Sequence, residues 1–399
     1  MVSFEHAPLI DQLARSLEQE VIAFRRDIHA HPEIARTEIR TTQRIASRLR
    51  EEGLEPRLLD GTGLTCDIGP TVEQSGQSLL AFRADIDALP LQETTGLPFA
   101  SIHDGISHSC GHDVHTAVVL GLGLVLARMA RRGELSRGVR LIFQPAEEVQ
   151  PGGALDLLAQ DVLDGVERIY AVHCEPKVDV GTVGTRIGPI TSACDTVTVT
   201  VTSAGGHTSR PHLTGDVVYA IGRMITEVPS VLGRRLDPRA GVNFTWGHVQ
   251  AGSAPNAIPS SGVISGTLRC LDVTAWERAG EVLHETIDHI ASAYGVEVSM
   301  HHKRGVPPVV NDEDCTMLLE ASARDALGAN AVALTEQSLG GEDFAWYLTK
   351  VPGALARLGT RTPGGTTYDI HRGDLIVDES AILAGIRMLA RTATVGGAR

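Results

Sequence analysis

The sequence predicts an α/β protein: a mostly parallel sheet with helices on both faces, interrupted by a smaller inserted domain. Three features carry this. Over the first half, apolar runs of strand length alternate with stretches whose apolar residues recur at steps of three and four. Three of the strand candidates lead into carboxylates or a histidine, and the carboxyl edge of such a sheet is where ligands bind. Further on, Thr196-Val197-Thr198-Val199-Thr200-Val201-Thr202 alternates strictly, the pattern of a strand with one buried and one wet face. A chain of 399 residues is long enough for two cores.

In order, Ile10, Leu13, Leu17, Val21, Phe24 and Ile28 share one helix face, which should stop before Pro32. A second helix follows over 38–52. Strands are expected at 64–68 and 78–82, the latter leading into Arg83-Ala84-Asp85. The apolar stretch from Val114 to Met129 reads as a helix. A buried strand at 139–143 runs into Gln144-Pro145-Ala146-Glu147-Glu148, a helix is expected over 154–163, and a strand at 168–172 ends on His173. From about Pro189 the order becomes strand (196–202), helix (217–228), strands (241–249 and 262–271), helix (275–294) and strand (296–301). This β-α-β-β-α-β order is the ferredoxin-like arrangement. Residues 189–305 are therefore expected to form an inserted lid or dimerisation domain. Residues 1–188 and 306–399 form the parent domain, completed by helices at 313–327 and 379–390 and a strand at 354–359.

The net charge of −14, with no basic stripe, argues against nucleic acid and anionic membrane as partners. The run Ala117 to Ala127 is too short to span a bilayer. The N-terminal residues lack the basic segment and apolar core of a secretion signal, so a cytoplasmic location is expected. The six cysteines show no C-x-x-C spacing and read mostly as buried small residues. Cys110 is the exception.

Ser107-His108-Ser109-Cys110-Gly111-His112-Asp113-Val114-His115 gathers a thiol, imidazoles and a carboxylate at a strand-to-helix junction. A thiolate one glycine away from an imidazole suits zinc or manganese better than calcium or magnesium. A helix N-terminus after Cys110 is expected to lower its pKa. Asp113 is placed to orient His112 by accepting its other ring proton, while His108 and His115 suit supporting or packing roles. An isolated Glu-Glu pair is more often a solvated turn, but Glu147 and Glu148 follow the apolar Phe143-Gln144-Pro145-Ala146. There one carboxylate can bind a metal while the other accepts a proton. His173 alone reads as a core histidine and His371 as a loop residue. Gly205-Gly206-His207 is a tight turn presenting a histidine, and Ala254-Pro255-Asn256 a rigid loop with one polar group. Arg269 and Arg210 are candidate partners for a substrate carboxylate, against the plainer reading of Arg269 as part of a surface ion pair.

In combination these motifs are specific. From Arg25 to its end the chain resembles the metal-dependent amidohydrolases that cleave N-acyl amino acids: hippurate hydrolases, aminoacylases and plant indole-acetyl-amino-acid hydrolases. Those belong to a clan with aminoacylase-type carboxypeptidases and dipeptidases. The resemblance rests on Arg83-Ala84-Asp85-Ile86-Asp87-Ala88-Leu89-Pro90, Cys110-Gly111-His112-Asp113, Gln144-Pro145-Ala146-Glu147-Glu148, Gly205-Gly206-His207 with Pro211-His212, and Gly341-Glu342-Asp343-Phe344. It implies a zinc-aminopeptidase-like catalytic domain. It also implies two divalent ions, zinc or manganese with cobalt or nickel as alternatives, held by Cys110, His112, Glu148, His173 and His371. Glu147 matches the general base, and His207 the histidine that steadies the oxyanion, often across a dimer interface. Asn256 matches a polar lid residue and Asp85 the position behind the ligands. Three segments depart from the family pattern: Val149-Gln150-Pro151, Cys174-Glu175-Pro176 and Arg372-Gly373-Asp374. They bear on the pocket wall rather than on the ligands.

The expected activity is hydrolysis of a small N-acyl amino acid, with a homodimer permitted through the inserted domain's strand edges. The alternatives are a metallo-dipeptidase or carboxypeptidase, a cysteine amidase using Cys110 as nucleophile, and a non-catalytic metal-binding protein. The cysteine mechanism leaves Glu147, Glu148, His173 and His371 without a role.

Overall fold

The computed structural model describes residues 3–395, so the outermost positions of the parent domain expected from sequence lie outside it. In chain order its elements are α1 (Ala7–Ala30), α2 (Ile39–Glu51), β1 (Arg57–Leu58), β2 (Leu64–Ile68), α3 (Val72–Ser75), β3 (Leu79–Asp85), α4 (His112–Ala130), β4 (Val139–Gln144), α5 (Ala154–Leu158), β5 (Val166–Asp179), β6 (Val183–Thr185) and β7 (Gly188–Pro189). Next come β8 (Ala193–Thr202), β9 (Gly206–His207), α6 (Val217–Arg235), β10 (Asn243–Ala251), β11 (Ala257–Ile258), β12 (Ser261–Cys270), α7 (Val273–Tyr294) and β13 (Glu297–Val306). The chain ends with β14 (Val310–Asn311), α8 (Glu313–Leu327), β15 (Val332–Leu334), α9 (Ala345–Leu348), β16 (Gly353–Arg361) and α10 (Ser380–Thr394).

Two compact units result. The first comprises the chain through Ile190, Val310–Glu336 and everything from Trp346 on. Its eight-stranded sheet has the order β1-β2-β4-β3-β5-β16-β6-β15. The block β4-β3-β5-β16 is parallel, as is β6 with β15. The joins β1-β2, β2-β4 and β16-β6 are antiparallel. Four of the seven joins are parallel, so the sheet expected to be mostly parallel is a mixed one. Short connections explain two of these joins: β1 and β2 are joined by the loop 59–63, and Val180-Gly181-Thr182 reverses the chain between β5 and β6, so β6 runs against β16. So few residues cannot make a parallel crossover.

Helices α4, α8 and α10 pack on this sheet, with α1 against α4 and α10. Where α4 meets α10, a side chain at Gly121 would collide with Ile386 Cδ1 at 2.3 Å, so only glycine lets these helices approach this closely. Arg391 on α10 binds Asp11 of α1 at 3.0 Å and Asp325 of α8 at 2.5 Å, holding the helical layer together. α4 starts earlier and runs longer than its apolar run suggested. Its 19 residues are long and apolar enough to cross a membrane, yet 89% of that window is buried inside the structure. Helix α5 stops at Leu158, five residues short of the expected end. β5 does not end at His173 but continues to Asp179, because β16 pairs with it from Ile169 to Glu175 and again at Asp179.

The second unit is Thr191–Val309 together with Gln337–Ala345. It has the antiparallel order β10-β12-β8-β13, and α6 and α7 pack against each other and over the sheet. Burial alternates along β8 and β12, leaving one face for the helices. The stretch 337–345, which carries Gly341-Glu342-Asp343-Phe344, was expected in the parent domain. It groups here instead because Ser192 N–H donates to Ser338 O (3.1 Å) and Ser192 Oγ to Leu339 O (2.8 Å).

Candidate metal centre

The carboxyl edge of the parallel block builds the site in the first unit. Gly111 takes a left-handed φ of 90°, turning the chain between Cys110 and the start of α4 at His112. β3 delivers Asp85 and, just beyond it, Asp87. β4 is followed by Ala146, itself at φ 58°, and then by Glu147 and Glu148. His173 comes from β5. His371, at φ 59°, is held from the far end of the chain by its N–H on Ser109 O at 2.7 Å.

These placements bring the five expected ligands together. Cys110, His112 and His173 form one group, Cys110, Glu148 and His371 a second, and His112, Glu147 and Glu148 a third; within each group the ligand atoms lie within 4.8 Å of one another. Cys110 Sγ is 3.5 Å from His173 Nε2, and His371 Nε2 is 3.2 Å from Glu148 Oε1.

Ring orientation is fixed from behind. His112 Nδ1 donates to the Asp87 carbonyl at 3.0 Å, and His173 Nδ1 donates to the Cys174 carbonyl at 2.8 Å. This turns each Nε2 toward the site, the orientation of metal-bound histidines. Buried His112 Nε2 has no hydrogen-bond partner. Around it stand Asp85 Oδ2 at 3.7 Å, Glu148 Oε1 at 3.8 Å and Glu147 Oε2 at 3.9 Å, all beyond hydrogen-bond range. An imidazole set among carboxylates and a thiol is a donor set that fits borderline-soft divalent metals.

Charge follows the same logic. Burial pushes Asp85 up, but His112, Arg83 and His115 together hold it well below the usual carboxylate range. Burial pulls His112 down, and Asp85 and Cys110 more than reverse this. His173 is held well below its ordinary value, first by burial and then by Arg357. The expected lowering of Cys110 is overturned. Burial pushes the thiol well above its ordinary value, with Glu148 and Glu147 adding to the rise and His112 opposing it. A buried protonated thiol is a poor nucleophile, whereas a bound cation deprotonates a coordinating thiol outright.

Asp113 also departs from expectation. One residue beyond His112, it lies about 100° further round the helix. It faces α1, where it forms an ion pair with Arg25 (Nε at 2.5 Å) and accepts from His29 Nδ1 at 2.8 Å. Asp87 takes the role expected of it. Nothing in the spacing marked Asp87 over Asp85, although both lie in the Asp85-Ile86-Asp87 motif. His115 Nδ1 donates to Asp85 Oδ1 at 2.6 Å while its Nε2 accepts from Cys174 N–H at 2.7 Å. His108 is buried, and neither of its ring nitrogens has a hydrogen-bond partner.

The second unit carries the other candidates. His207 on β9 is exposed and sits opposite Ala257 of β11, beside Asn256, whose carbonyl accepts from Thr208 N–H at 3.3 Å. Ser209 N–H donates to His207 Nδ1 at 3.1 Å, which leaves Nε2 as the N–H that can donate onward. Arg269 is in no ion pair among the described residues; its Nη1 donates to Leu339 O at 2.6 Å.

Gly111 offers a direct check on the geometry. A Cβ there would stand 2.8 Å from Cys174 Sγ, in a backbone conformation that L-residues rarely adopt. Gly111→Ala is expected to lose about 1–3 kcal/mol of stability and to weaken metal binding, read by denaturant unfolding and metal titration. Unchanged values in both would contradict the site as described.

The chain belongs to peptidase family M20/M25/M40, whose pattern it matches over residues 81–395. A Bacillus subtilis (strain 168) protein named N-acetylcysteine deacetylase is 36% identical over 384 residues, covering 96% of this chain and 98% of that one. A Rhodococcus jostii (strain RHA1) protein named for glutamate–cysteine ligase activity is 48% identical over 373 residues, 93% of this chain; the match spans only 46% of that longer protein. Among solved structures, a Bacillus subtilis protein described as a dinuclear metal-binding peptidase of the M20 family superposes with a TM-score of 0.81 at 33% identity, covering 96% of this chain and 98% of its own.

Proposed function

We propose that this chain is a two-metal hydrolase that cleaves the amide bond of N-acyl amino acids to a carboxylate and a free amino acid. The observation that carries the reading is His112 Nε2, buried and partnerless, facing Asp85, Glu147 and Glu148 inside the ring of Cys110, His173 and His371. The N-acetylcysteine deacetylase relative and the dinuclear M20 structure support it.

Cys110, His112, Glu148, His173 and His371 would hold two divalent ions, zinc or manganese before cobalt or nickel. Bound there, the ions supply the Lewis acidity that makes water nucleophilic near neutral pH. Glu147 takes the proton of the attacking water and returns it to the leaving amine nitrogen. His207, with its proton on Nε2, donates to the developing oxyanion, and Asn256 and Arg269 contact the substrate. Asp85 holds His115 and Arg83 behind the ligands.

In this reading residues 1–188 and 306–399, without the 337–345 stretch that groups with the second unit, form a zinc-aminopeptidase-like catalytic domain. The ferredoxin-like insertion, 189–305, is the lid that brings His207 to the scissile bond. The edge strands β10 and β13 are where a second copy would pair. The substrate is a cytoplasmic small molecule, and neither nucleic acid nor membrane is a partner.

The experiment is a panel of N-acetyl and N-benzoyl amino acids, with dipeptides alongside, scored for released amine before and after chelation. Activity on acyl amino acids that a chelator abolishes and zinc or manganese restores is the expected result. Activity confined to dipeptides points to a dipeptidase. Activity insensitive to chelator but lost on thiol alkylation overturns the reading in favour of Cys110 as nucleophile.

A further inference from the structure

Strand β16 is buried along nearly its whole length, yet it carries a charge at its centre. Arg357 is 7% exposed. The other arginines buried to this degree each have a carboxylate partner: Arg25 with Asp113, Arg83 with Asp85, Arg137 with Glu167, and Arg391 with Asp11 and Asp325. Arg357 makes no ion pair and no side-chain hydrogen bond among the described residues.

Its position explains what such a group could meet. In the register of the sheet Arg357 stands opposite His173 on β5, which is parallel to it, and opposite Gly184 on β6. Register partners on neighbouring strands leave the same face, about 4.8 Å apart. The guanidinium therefore rises from the sheet beside the imidazole of a proposed metal ligand. On the other side Gly184 has no side chain to offer it. Its Cβ space is closed by Thr335 Cβ at 2.9 Å and Arg357 Cβ at 3.2 Å. Two residues away along β16 the neighbours on that face are Leu355 and Gly359, neither an acceptor by side chain.

An arginine presents a planar fork of five donors and no acceptor, and it keeps its charge when buried. A buried, unpaired fork beside a catalytic centre matches a carboxylate arriving with the substrate. From this placement we infer that Arg357 is the anion subsite of the active site, which receives a carboxylate of the substrate close to the scissile amide. This rests on the hydrolase reading above and adds to it a substrate class, acyl amino acids that carry a carboxylate near that bond. Two sources share the chemistry: the α-carboxylate of the leaving amino acid, or a carboxylate on a dicarboxylic acyl group.

The test compares wild type, Arg357→Met and Arg357→Lys, each loaded with metal, on N-acetyl-L-alanine, N-acetyl-L-alaninamide, N-succinyl-L-alanine and N-succinyl-L-alaninamide. Metal content is measured on every sample. Arg357→Met is expected to raise KM by about 100-fold wherever the recognised carboxylate is present and to leave KM for the matching neutral substrate unchanged. Arg357→Lys recovers part of the loss. A penalty on N-acetyl-L-alanine but not its amide assigns the α-carboxylate. A penalty on N-succinyl-L-alaninamide but not N-acetyl-L-alaninamide assigns the acyl carboxylate. Equal KM values for all four substrates in Arg357→Met, or a uniform loss, overturn the inference, as does a loss of bound metal in both variants, which would make Arg357 a structural neighbour of His173. If wild type cleaves none of the four, the hydrolase reading fails by itself. Calorimetric titration with N-succinyl-L-alanine then decides the subsite: tighter binding to wild type than to Arg357→Met supports it, and equal binding overturns it.

Discussion

Glu147→Gln keeps its metal and loses turnover, with kcat falling by about 10²–10⁴-fold, the range for removing a positioned general base. The substitution preserves size and most contacts but removes the only basic site of the side chain. The neighbouring carboxylate cannot take over, because Glu148 is already engaged 3.2 Å from His371 Nε2 and shares its cluster with Cys110. Glu147 Oε2 lies 3.9 Å from His112 Nε2, close enough to serve a water held there and too far to be hydrogen-bonded to the ring. Steady-state kinetics with elemental analysis of the same sample reads both halves of the prediction. A variant with near-normal kcat would remove Glu147 from the chemistry.

The second large effect belongs to His112. It belongs to both the Cys110–His173 group and the Glu147–Glu148 group, so its loss removes a proposed ligand and the nitrogen beside the proposed base. His112→Ala should strip the metal and bring kcat/KM close to background, a far larger loss than the roughly 10–100-fold typical of changes behind the ligands. Without the ring, Asp85, Glu147 and Glu148 are left facing one another with no nitrogen among them. Asp113→Asn is the matched control one residue away. It weakens the Arg25 and His29 contacts, so it should lower Tm while the bound metal stays. Equal metal loss in both variants would mean that the two residues act together and that the separation drawn between them is wrong.

That separation was not legible in the sequence. Adjacency in a string of letters suggested that Asp113 serves His112, but the helix sends consecutive side chains in different directions. The true anchor, the Asp87 carbonyl, is a backbone atom, which residue type does not advertise. The proposed ligand set was legible through the family resemblance: Cys110, His112 and the Glu147-Glu148 pair stand out at their junctions, but His173 alone reads as a core histidine and His371 as a loop residue. The pKa of Cys110 was misjudged because a helix N-terminus is visible in sequence and the depth of burial is not. The sheet's antiparallel joins were missed for a related reason. β6 has three residues, too few to show a period, and its antiparallel partner β16 lies far along the chain, as β4 does from β2. Arg357 did leave a signal, a lone charge within Ala354-Leu355-Ala356-Arg357-Leu358. Only the missing partner in three dimensions gives it meaning.

Activity measured against added metal tests the central claim most directly. Protein stripped of metal and titrated with zinc or manganese should regain amide cleavage and reach its plateau at about two ions per chain, matching the two ions proposed here. Full activity in the stripped protein, or a plateau unaffected by replacing His112 and His371, would contradict it.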